Sequence, residues 1–219
     1  MTRPGGGTRS REVLRVGLTG GIATGKSVVA AAFSEQGAFV LDADTLGHEL
    51  MEPGMPAHGE IRAAFGDGVL SADGRIDRKK LGDRIFTNPV ARQRLNAILH
   101  PRILAEVEDR ILDFARRFPG GIAVVQAALV VEAGVRSRFD RIVVTHCDPQ
   151  TQARRLVERD GISREQARRR ISAQAEPGER LAAAEHVIDT SGSMDETRAR
   201  AREVLAALRR EWESLKTTH

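Results

Sequence analysis

Apolar residues fall in short runs separated by longer amphipathic stretches, and this rhythm recurs along the chain. Val13-Leu14-Arg15-Val16-Gly17-Leu18-Thr19 is a mostly apolar run of strand length, and the next predicted helix opens with Val28-Val29-Ala30-Ala31-Ala32-Phe33. A second strand is predicted over residues 38–41, running into Asp42-Ala43-Asp44. The third and fourth, residues 121–132 and 140–147, are β-branched and apolar without clear alternation. Parallel strands buried on both faces have that character. A short fifth strand is expected within residues 184–192. Helical patterns cover residues 149–159, 164–174 and, near the end of the chain, 195–215. The stretch from 54 to about 118 differs, being polar, helical and broken by "GDGVLSADGRIDRKKL". Its long helical pattern, 89–118, contains His100-Pro101, where proline is expected to kink or split the helix. Strands alternating with helices predict a parallel α/β sheet with ligand above the strands' carboxyl ends.

The chemistry begins at the turn between the first strand and the first helix. Gly20 to Ser27 reads GGIATGKS, which fits G-x-x-x-x-G-K-S in the strand–turn–helix context that a phosphate loop requires. Gly20, Gly21 and Gly25 let the backbone curl so that consecutive N–H groups face one anion. Ile22, Ala23, Thr24 and, in the first helical turn, Val28 complete the cradle. The helix starting near Gly25 adds its positive end. Lys26 is expected to reach the β- and γ-phosphates, and the Ser27 hydroxyl to ligate Mg²⁺, which takes oxygen ligands in a strict octahedron. The plainer reading, a glycine turn with Lys26 merely exposed, leaves the position of the motif between strand and helix unexplained. Nucleotide binding follows from the loop; a reaction does not.

Composition narrows the class of partner. The chain has 219 residues, 41% hydrophobic and 29% charged, which suits one globular α/β unit with room for inserted subdomains. Lys plus Arg number 34 against 30 acidic residues, so the positive surplus is small despite a pI near 9.9. Arginines dominate the basic set, and bidentate guanidinium groups suit phosphates. With one Trp, no Tyr and no basic patch interleaved with aromatics, the chain offers nucleic acid no stacking platform. The single cysteine, Cys147, excludes an internal disulfide framework, points to a reducing compartment and reads most simply as a small residue at a strand end. The most apolar stretch, 121–135, is too short for a membrane span and is broken by Gln126 and Glu132. Residues 1–12 lack the apolar middle of a signal peptide and read as a disordered leader. A cytoplasmic protein without membrane or nucleic-acid partners is expected.

Other features bear on what becomes of the phosphate. A switch GTPase needs a guanine-reading N-K-x-D, and the stretch after the fourth strand instead reads THCDPQTQARR. A motor or transport ATPase carries an apolar strand ending in Asp, where the third strand has Gln126 and, later, Glu132. What the chain does carry is Asp42 and Asp44 after the second strand, and a basic helical stretch with Arg154, Arg155, Arg159, Arg164, Arg168, Arg169, Arg170 and Arg180. Phosphoryl transfer spreads negative charge over the moving group. Arginines closing over it stabilise that charge and exclude water, the competing acceptor. Arg155 and Arg159, four apart, share a helix face and are the expected working pair, while most of the others fit the wet face of amphipathic helices. Alternate strand residues point the same way, so Asp42 and Asp44 can both face the site if the extended geometry persists. Asp44 is then the expected base, with its partner supporting magnesium or its waters. The competing reading makes the pair a cap for the next helix. The residues alone thus reach a magnesium- and ATP-dependent small-molecule kinase.

Seven landmarks in order, "LTGGIATGKS", "DAD", "FGDGVLSADGRIDRKKL", "HPRI", "QARRLVERDGIS", "SAQ" and "AEHVIDTSG", give a closer reading. The chain resembles the dephospho-CoA kinase family over residues 16–215, nearly its whole length. The resemblance implies a P-loop kinase-type parallel sheet flanked by helices, with a helical acceptor-binding insertion and a small lid. It implies transfer of the ATP γ-phosphate to the ribose 3′-hydroxyl of dephospho-CoA, the last step of coenzyme A synthesis. On this reading residues 13–53, 121–148 and 181–219 form the nucleotide core, 54–120 the acceptor-binding subdomain and 149–180 the lid. Lys26 and Ser27 bind ATP phosphates and Mg²⁺, Asp44 is the base, Arg155 and Arg159 clamp the phosphates, and Arg78, His100 and Pro101 lie in the acceptor region. His100 has an alternative as a half-buried histidine ahead of a helix kink.

The chain also departs from the family pattern in places. Ala23 stands where the family usually has glycine, and an alanine there is strained if its φ is positive. The family's third strand ends D-x-P-L-L-x-E, where this chain reads Gln126-Ala127-Ala128-Leu129-Val130-Val131-Glu132 and lacks the acid and the proline. Thr190 replaces the family's usual asparagine before Ser191-Gly192, which removes the expected adenine contact. Competing readings are a kinase for nucleosides, nucleotides or another small alcohol, a weakened nucleotide-binding protein that senses ATP or CoA, and a nucleic-acid-binding ATPase.

Overall fold

The computed structural model describes residues 12–86, 88–127, 135–174 and 177–217. The leader expected over 1–12 therefore lies outside the described residues except for Glu12, as does the end of the predicted third strand from Ala128 to Glu132. Among the described residues, no helix is long and apolar enough to cross a membrane.

Among the described residues, five strands form one sheet: β1 (Leu14–Gly20), β2 (Phe39–Asp42), β3 (Ile122–Gln126), β4 (Arg141–His146) and β5 (His186–Asp189), in the order β2-β3-β1-β4-β5. The β1–β3, β1–β4 and β4–β5 pairs are parallel, as the strand–helix alternation predicts. Side-chain period two divides the sheet's faces. Leu14, Val16, Leu18, Val124, Val143 and Ile188 face a core shared with Val29 and Phe33 of α1 (Lys26–Glu35) and Leu205, Leu208 and Trp212 of a late helix (Met194–Thr217). Ile142 and Val144 face the other way, against Phe139, Leu181 and Ala184. Both faces of β4 are thus covered, and this accounts for its lack of polar alternation.

The chain divides into two compact units. The first, residues 1–40 and 113–219, holds most of the sheet and the helices α6 (Pro149–Asp160), α7 (Arg164–Ser172), α8 (Pro177–Ala182) and α9 (Met194–Thr217). The second, residues 41–112, holds α2 (Ala43–Leu50), α3 (Pro56–Phe65), α4 (Arg78–Phe86) and most of α5 (Pro89–Arg117). It has a core of its own, with Leu50, Ile61, Phe65, Val69, Leu81 and Leu95 buried together. The polar break between α3 and α4 is a short hairpin-like turn closed by an antiparallel bridge between Leu70 and Ile76.

Two local expectations change. Pro101 does not split the long helix, because α5 runs unbroken through it. A mid-helix proline removes one backbone bond and crowds the preceding turn. Here Arg102 Nη1 donates to the Ile98 carbonyl at 2.6 Å, while Leu95, Val107 and Ile111 are buried along the helix and hold its course. The extended geometry of β2 also does not reach Asp44. Asp42 ends the strand and α2 begins at Ala43, so Asp44 is helical and the alternation argument for the acid pair fails.

Candidate functional site

The phosphate loop is shaped by contacts that sequence order does not reveal. A Cβ at Gly20 would stand 2.2 Å from Thr145 Oγ1 and 2.6 Å from the Thr145 carbonyl oxygen, so only glycine lets β1 turn there beside β4. Gly25 is left-handed, with φ 80°, and caps α1 without any side-chain hydrogen bond. No acidic residue sits in the first turn of α1. The positive end of the helix is therefore not neutralised by its own side chains, as an anion site requires. Lys26 Nζ folds back onto the loop, donating to the carbonyls of Gly20 at 2.8 Å and Gly21 at 3.1 Å. Ser27 is exposed in the same first turn.

A layer of buried polar groups supports this loop. Of the seven buried polar or charged side chains among the described residues, six (Thr19, Thr24, Thr145, Gln152, Arg180 and Thr190) stand in the loop, on the neighbouring strand ends or on the helices packed against it. Buried polar atoms persist where they are hydrogen-bonded, so such a concentration marks a built site. Thr24 Oγ1 donates to the Gly21 carbonyl at 2.8 Å and lies 2.8 Å from Thr145 Oγ1. Thr190 Oγ1 reaches the Thr24 carbonyl at 2.9 Å. Gln174 Oε1 accepts the Ile22 N–H at 2.7 Å, and Gln152 Nε2 donates to the Ile22 carbonyl at 2.6 Å. Arg180 is 5% exposed, and its Nη1 lies 3.2 Å from where a Cβ on Gly21 would stand.

Ala23 has φ 57°, the left-handed value at which alanine is strained. The substitution of the family's usual glycine thus carries a cost of about 1 kcal/mol. Thr190 does more than replace an asparagine. Its hydroxyl ties the turn after β5 to the loop, and its carbonyl accepts from Arg155 Nη2 at 2.6 Å. Gln126 ends β3 half-buried in the place of the missing acid.

The two expected lid arginines have separate partners. Arg155 donates to Thr190 Oγ1 at 3.2 Å, to the Thr190 carbonyl and to the Gly192 carbonyl at 3.4 Å. Arg159 donates through Nε and Nη2 to Asp160, at 2.7 and 3.3 Å, and its side chain is 58% exposed. Asp160 also takes Arg170 at 2.8 Å, and these guanidinium groups hold its carboxyl below the usual range, chiefly through the Arg159 hydrogen bond. Cys147 is buried at the end of β4, and burial pushes its thiol up, against the opposing influence of Arg155. It is an unreactive packing residue, as the plain reading has it.

In the second unit, Asp42 is the cap of α2, its Oδ1 accepting Asp44 N–H at 2.9 Å and Thr45 N–H at 3.0 Å. The capping reading thus holds for Asp42, while Asp44 stands exposed in the first turn. His48 lies four residues on, on the same helix face as Asp44. Its Nδ1 accepts from Arg78 Nη1 at 3.0 Å, so a neutral ring carries its proton on Nε2. His48 was missed in the sequence, although its spacing from Asp44 is a usable signal. His100 and Pro101 are exposed on α5, so His100 is not the half-buried histidine of the alternative reading. Gln174 belongs to the "SAQ" landmark, to which sequence reading assigned no task, and Arg180 could not be told from its exposed neighbours by charge alone.

Comparison with known proteins adds to this geometry. A model of the dephospho-CoA kinase family matches residues 14–196. A dephospho-CoA kinase of Leifsonia xyli subsp. xyli is 47% identical over 194 residues, which span 89% of this chain and 98% of the relative. Another, from Geobacter sulfurreducens, is 46% identical over 191 residues, spanning 87% of this chain and 96% of its own. Among solved structures, a Thermus thermophilus protein at 28% identity superposes with a TM-score of 0.76, covering 90% of this chain and 98% of that one.

Proposed function

The chain belongs to the dephospho-CoA kinase family, and on that footing we propose that it transfers the γ-phosphate of ATP to the ribose 3′-hydroxyl of dephospho-CoA. The observation that carries this reading is a family match across nearly the whole chain joined to a phosphate loop whose cation, glycines and uncapped helix end are all in place. Cytoplasmic action is part of the proposal, supported by the lone buried cysteine.

Each residue's part follows from its chemistry. Lys26 exchanges the Gly20 and Gly21 carbonyls for phosphate oxygens of the donor, which compete for an ammonium more strongly than neutral carbonyls do. The loop N–H groups between Ala23 and Ser27 and the α1 terminus hold the same phosphates, the Ile22 N–H being taken by Gln174. Mg²⁺ fits the oxygen chemistry of the exposed Ser27 hydroxyl, since this ion takes one or two protein ligands and completes its shell with phosphates and water. When bound, it neutralises charge on the donor's β- and γ-oxygens.

Asp44 takes the proton of the acceptor hydroxyl, a role supported by its exposure and by the capping of α2 by Asp42 rather than by itself. Arg78, steadied by His48, and the exposed His100 and Pro101 are assigned to the acceptor. Arg180, buried at Gly21, joins Arg155 and Arg159 as a cation for the transferring group.

The test is ADP release from Mg²⁺-ATP with and without dephospho-CoA, alongside Asp44→Asn. Acceptor-dependent ADP with an equal yield of CoA is expected, and a loss in kcat of about 10²–10⁴-fold in the variant. ADP release indifferent to the acceptor would sink the assignment, and a fully active Asp44→Asn would sink the base.

A further inference from the structure

Two glutamines to which transfer chemistry assigns no task meet on a single residue of the phosphate loop, Ile22. Gln174 accepts the Ile22 N–H at 2.7 Å, and Gln152 donates to the Ile22 carbonyl at 2.6 Å. The sense of both bonds is dictated by the backbone, since an N–H only donates and a C=O only accepts. Gln152 projects from α6 and is 8% exposed; Gln174 lies just past Ala173, the C-cap of α7. The same amide ends face Gly21, where a Cβ would meet Gln152 Nε2 at 3.0 Å and Gln174 Oε1 at 3.2 Å. The Ile22 N–H belongs to the Gly21–Ile22 peptide and its carbonyl to the Ile22–Ala23 peptide, so each plane flanking Ile22 is held by one glutamine and neither flips without breaking its bond.

The next residue is Ala23, at φ 57°. A left-handed alanine persists only where its surroundings over-determine it, because the extended and right-handed regions lie lower in energy. The glutamine grip stands immediately before the strained residue, and Thr24 is fastened immediately after it through its hydroxyl to Gly21 and its carbonyl to Thr190. The curl that aims the loop's N–H groups is therefore held from outside the loop, by α6 and by the segment after α7.

We propose that Gln152 and Gln174 are positioning residues that couple the α6–α7 segment to the phosphate loop, so that placement of these helices sets the loop geometry in which the donor phosphates are held. Its consequence for turnover rests on the kinase reading above, whereas its consequence for the loop does not. Loosening either glutamine raises the KM for ATP and lowers kcat while leaving the KM for the acceptor in place, a split that general destabilisation does not produce.

Gln152→Glu and Gln174→Glu test the coupling. The two replacements are isosteric, and each adds one negative charge at a similar distance from Gly21, so their repulsion of ATP is comparable. Their hydrogen bonds differ in sign. A glutamate at 174 still accepts the Ile22 N–H, whereas one at 152 sets a carboxylate oxygen against the Ile22 carbonyl with no proton between them. Gln152→Glu is expected to weaken ATP binding about tenfold more than Gln174→Glu does. In ligand-free protein it is also expected to speed hydrogen exchange at the Ile22 amide, which Gln174→Glu leaves slow. The Gln152→Ala, Gln174→Ala and double variants give a second reading. Because both groups hold one residue, the double loss of ATP affinity should fall short of the product of the single losses. Equal effects of the two glutamates with unchanged Ile22 exchange, or strictly multiplicative alanine losses, would overturn the proposal. Exchange and ATP binding are measured without acceptor. A protein that shows the asymmetry but no acceptor-dependent ADP refutes the kinase reading alone, and one that transfers phosphate without the asymmetry refutes the coupling alone.

Discussion

Thr190→Val removes one oxygen from the centre of the buried polar layer while keeping the side chain's volume and branching. Thr190 is 1% exposed, so no water replaces what is lost. Its N–H still donates to the His146 carbonyl at 2.7 Å, leaving the backbone anchored. That carbonyl being engaged, the hydroxyl proton goes to the Thr24 carbonyl at 2.9 Å rather than back to His146 at 3.1 Å. The hydroxyl oxygen accepts from Arg155 Nη1 at 3.2 Å. The neutral bond is worth about 1 kcal/mol, and the long bond from the guanidinium about 1.5 kcal/mol, the low end for a charged donor. Arg155 keeps its 2.6 Å bond to the Thr190 carbonyl, which is why the low end applies. The expected loss is therefore about 2–2.5 kcal/mol, or a fall of about 4–10 °C in Tm for a chain of this size. Because Thr24 lies inside the phosphate loop, ATP affinity should fall as well. Urea and thermal unfolding of Thr190→Val beside Thr190→Ser separate the hydroxyl from the packing, since serine keeps the oxygen and loses one methyl, about 1 kcal/mol. A valine variant within about 0.5 kcal/mol of the parent, or a serine variant as damaged as the valine, would refute the reasoning.

Ala23→Gly should raise stability by about 0.5–1 kcal/mol, because relief of the left-handed strain outweighs the greater freedom of glycine in the unfolded chain. A lower urea midpoint in this variant would contradict the loop conformation. Asp148 caps α6, accepting the N–H groups of Gln150 at 3.0 Å and Thr151 at 2.8 Å, and bonding to Thr151 above all holds its carboxyl below the usual range. Its folded value lies below its unfolded one, so its contribution is complete above the ordinary carboxylate value near pH 4 and is lost as pH falls through the lower folded value. Stability measured by urea titration should therefore decline from about pH 5 downward, and Asp148→Asn should flatten that slope. An identical slope in the variant would remove Asp148 from the account.

The sequence by itself determined the elements whose causes are local. A strand, a glycine turn and an apolar helix read as a phosphate loop because each depends on neighbours a few residues away, and β1, the loop and α1 stand where the pattern puts them. The parallel sheet followed from the alternation of apolar runs with helices. Family landmarks carried the activity, because they are strings of residues and not contacts. Where a local rule met a competing local rule, the sequence could state both without choosing between them. Asp42 was either a site acid or a cap, and only the backbone, turning helical at Ala43, made it the cap and put Asp44 on α2. Proline at 101 should break a helix, yet α5 passes through it, since burial along its length outweighs one lost bond.

Only the tertiary structure decided how the loop is held. Gln174 and Gln152 reach Ile22 from 152 and 130 residues away, and Thr190 reaches Thr24 from 166. Nothing in the composition of α6 or α7 distinguishes a glutamine bound to the loop from one in water. Arg180 likewise resembles Arg154 or Arg168 in sequence, but it is buried at Gly21, whereas Arg159 is exposed and bonded to Asp160. Hydrogen bonds and burial act over a few ångströms, and along an unfolded chain these groups are far apart. Which polar side chains are satisfied by one another, and which by solvent, is settled only when the sheet brings the ends of β1, β4 and β5 together.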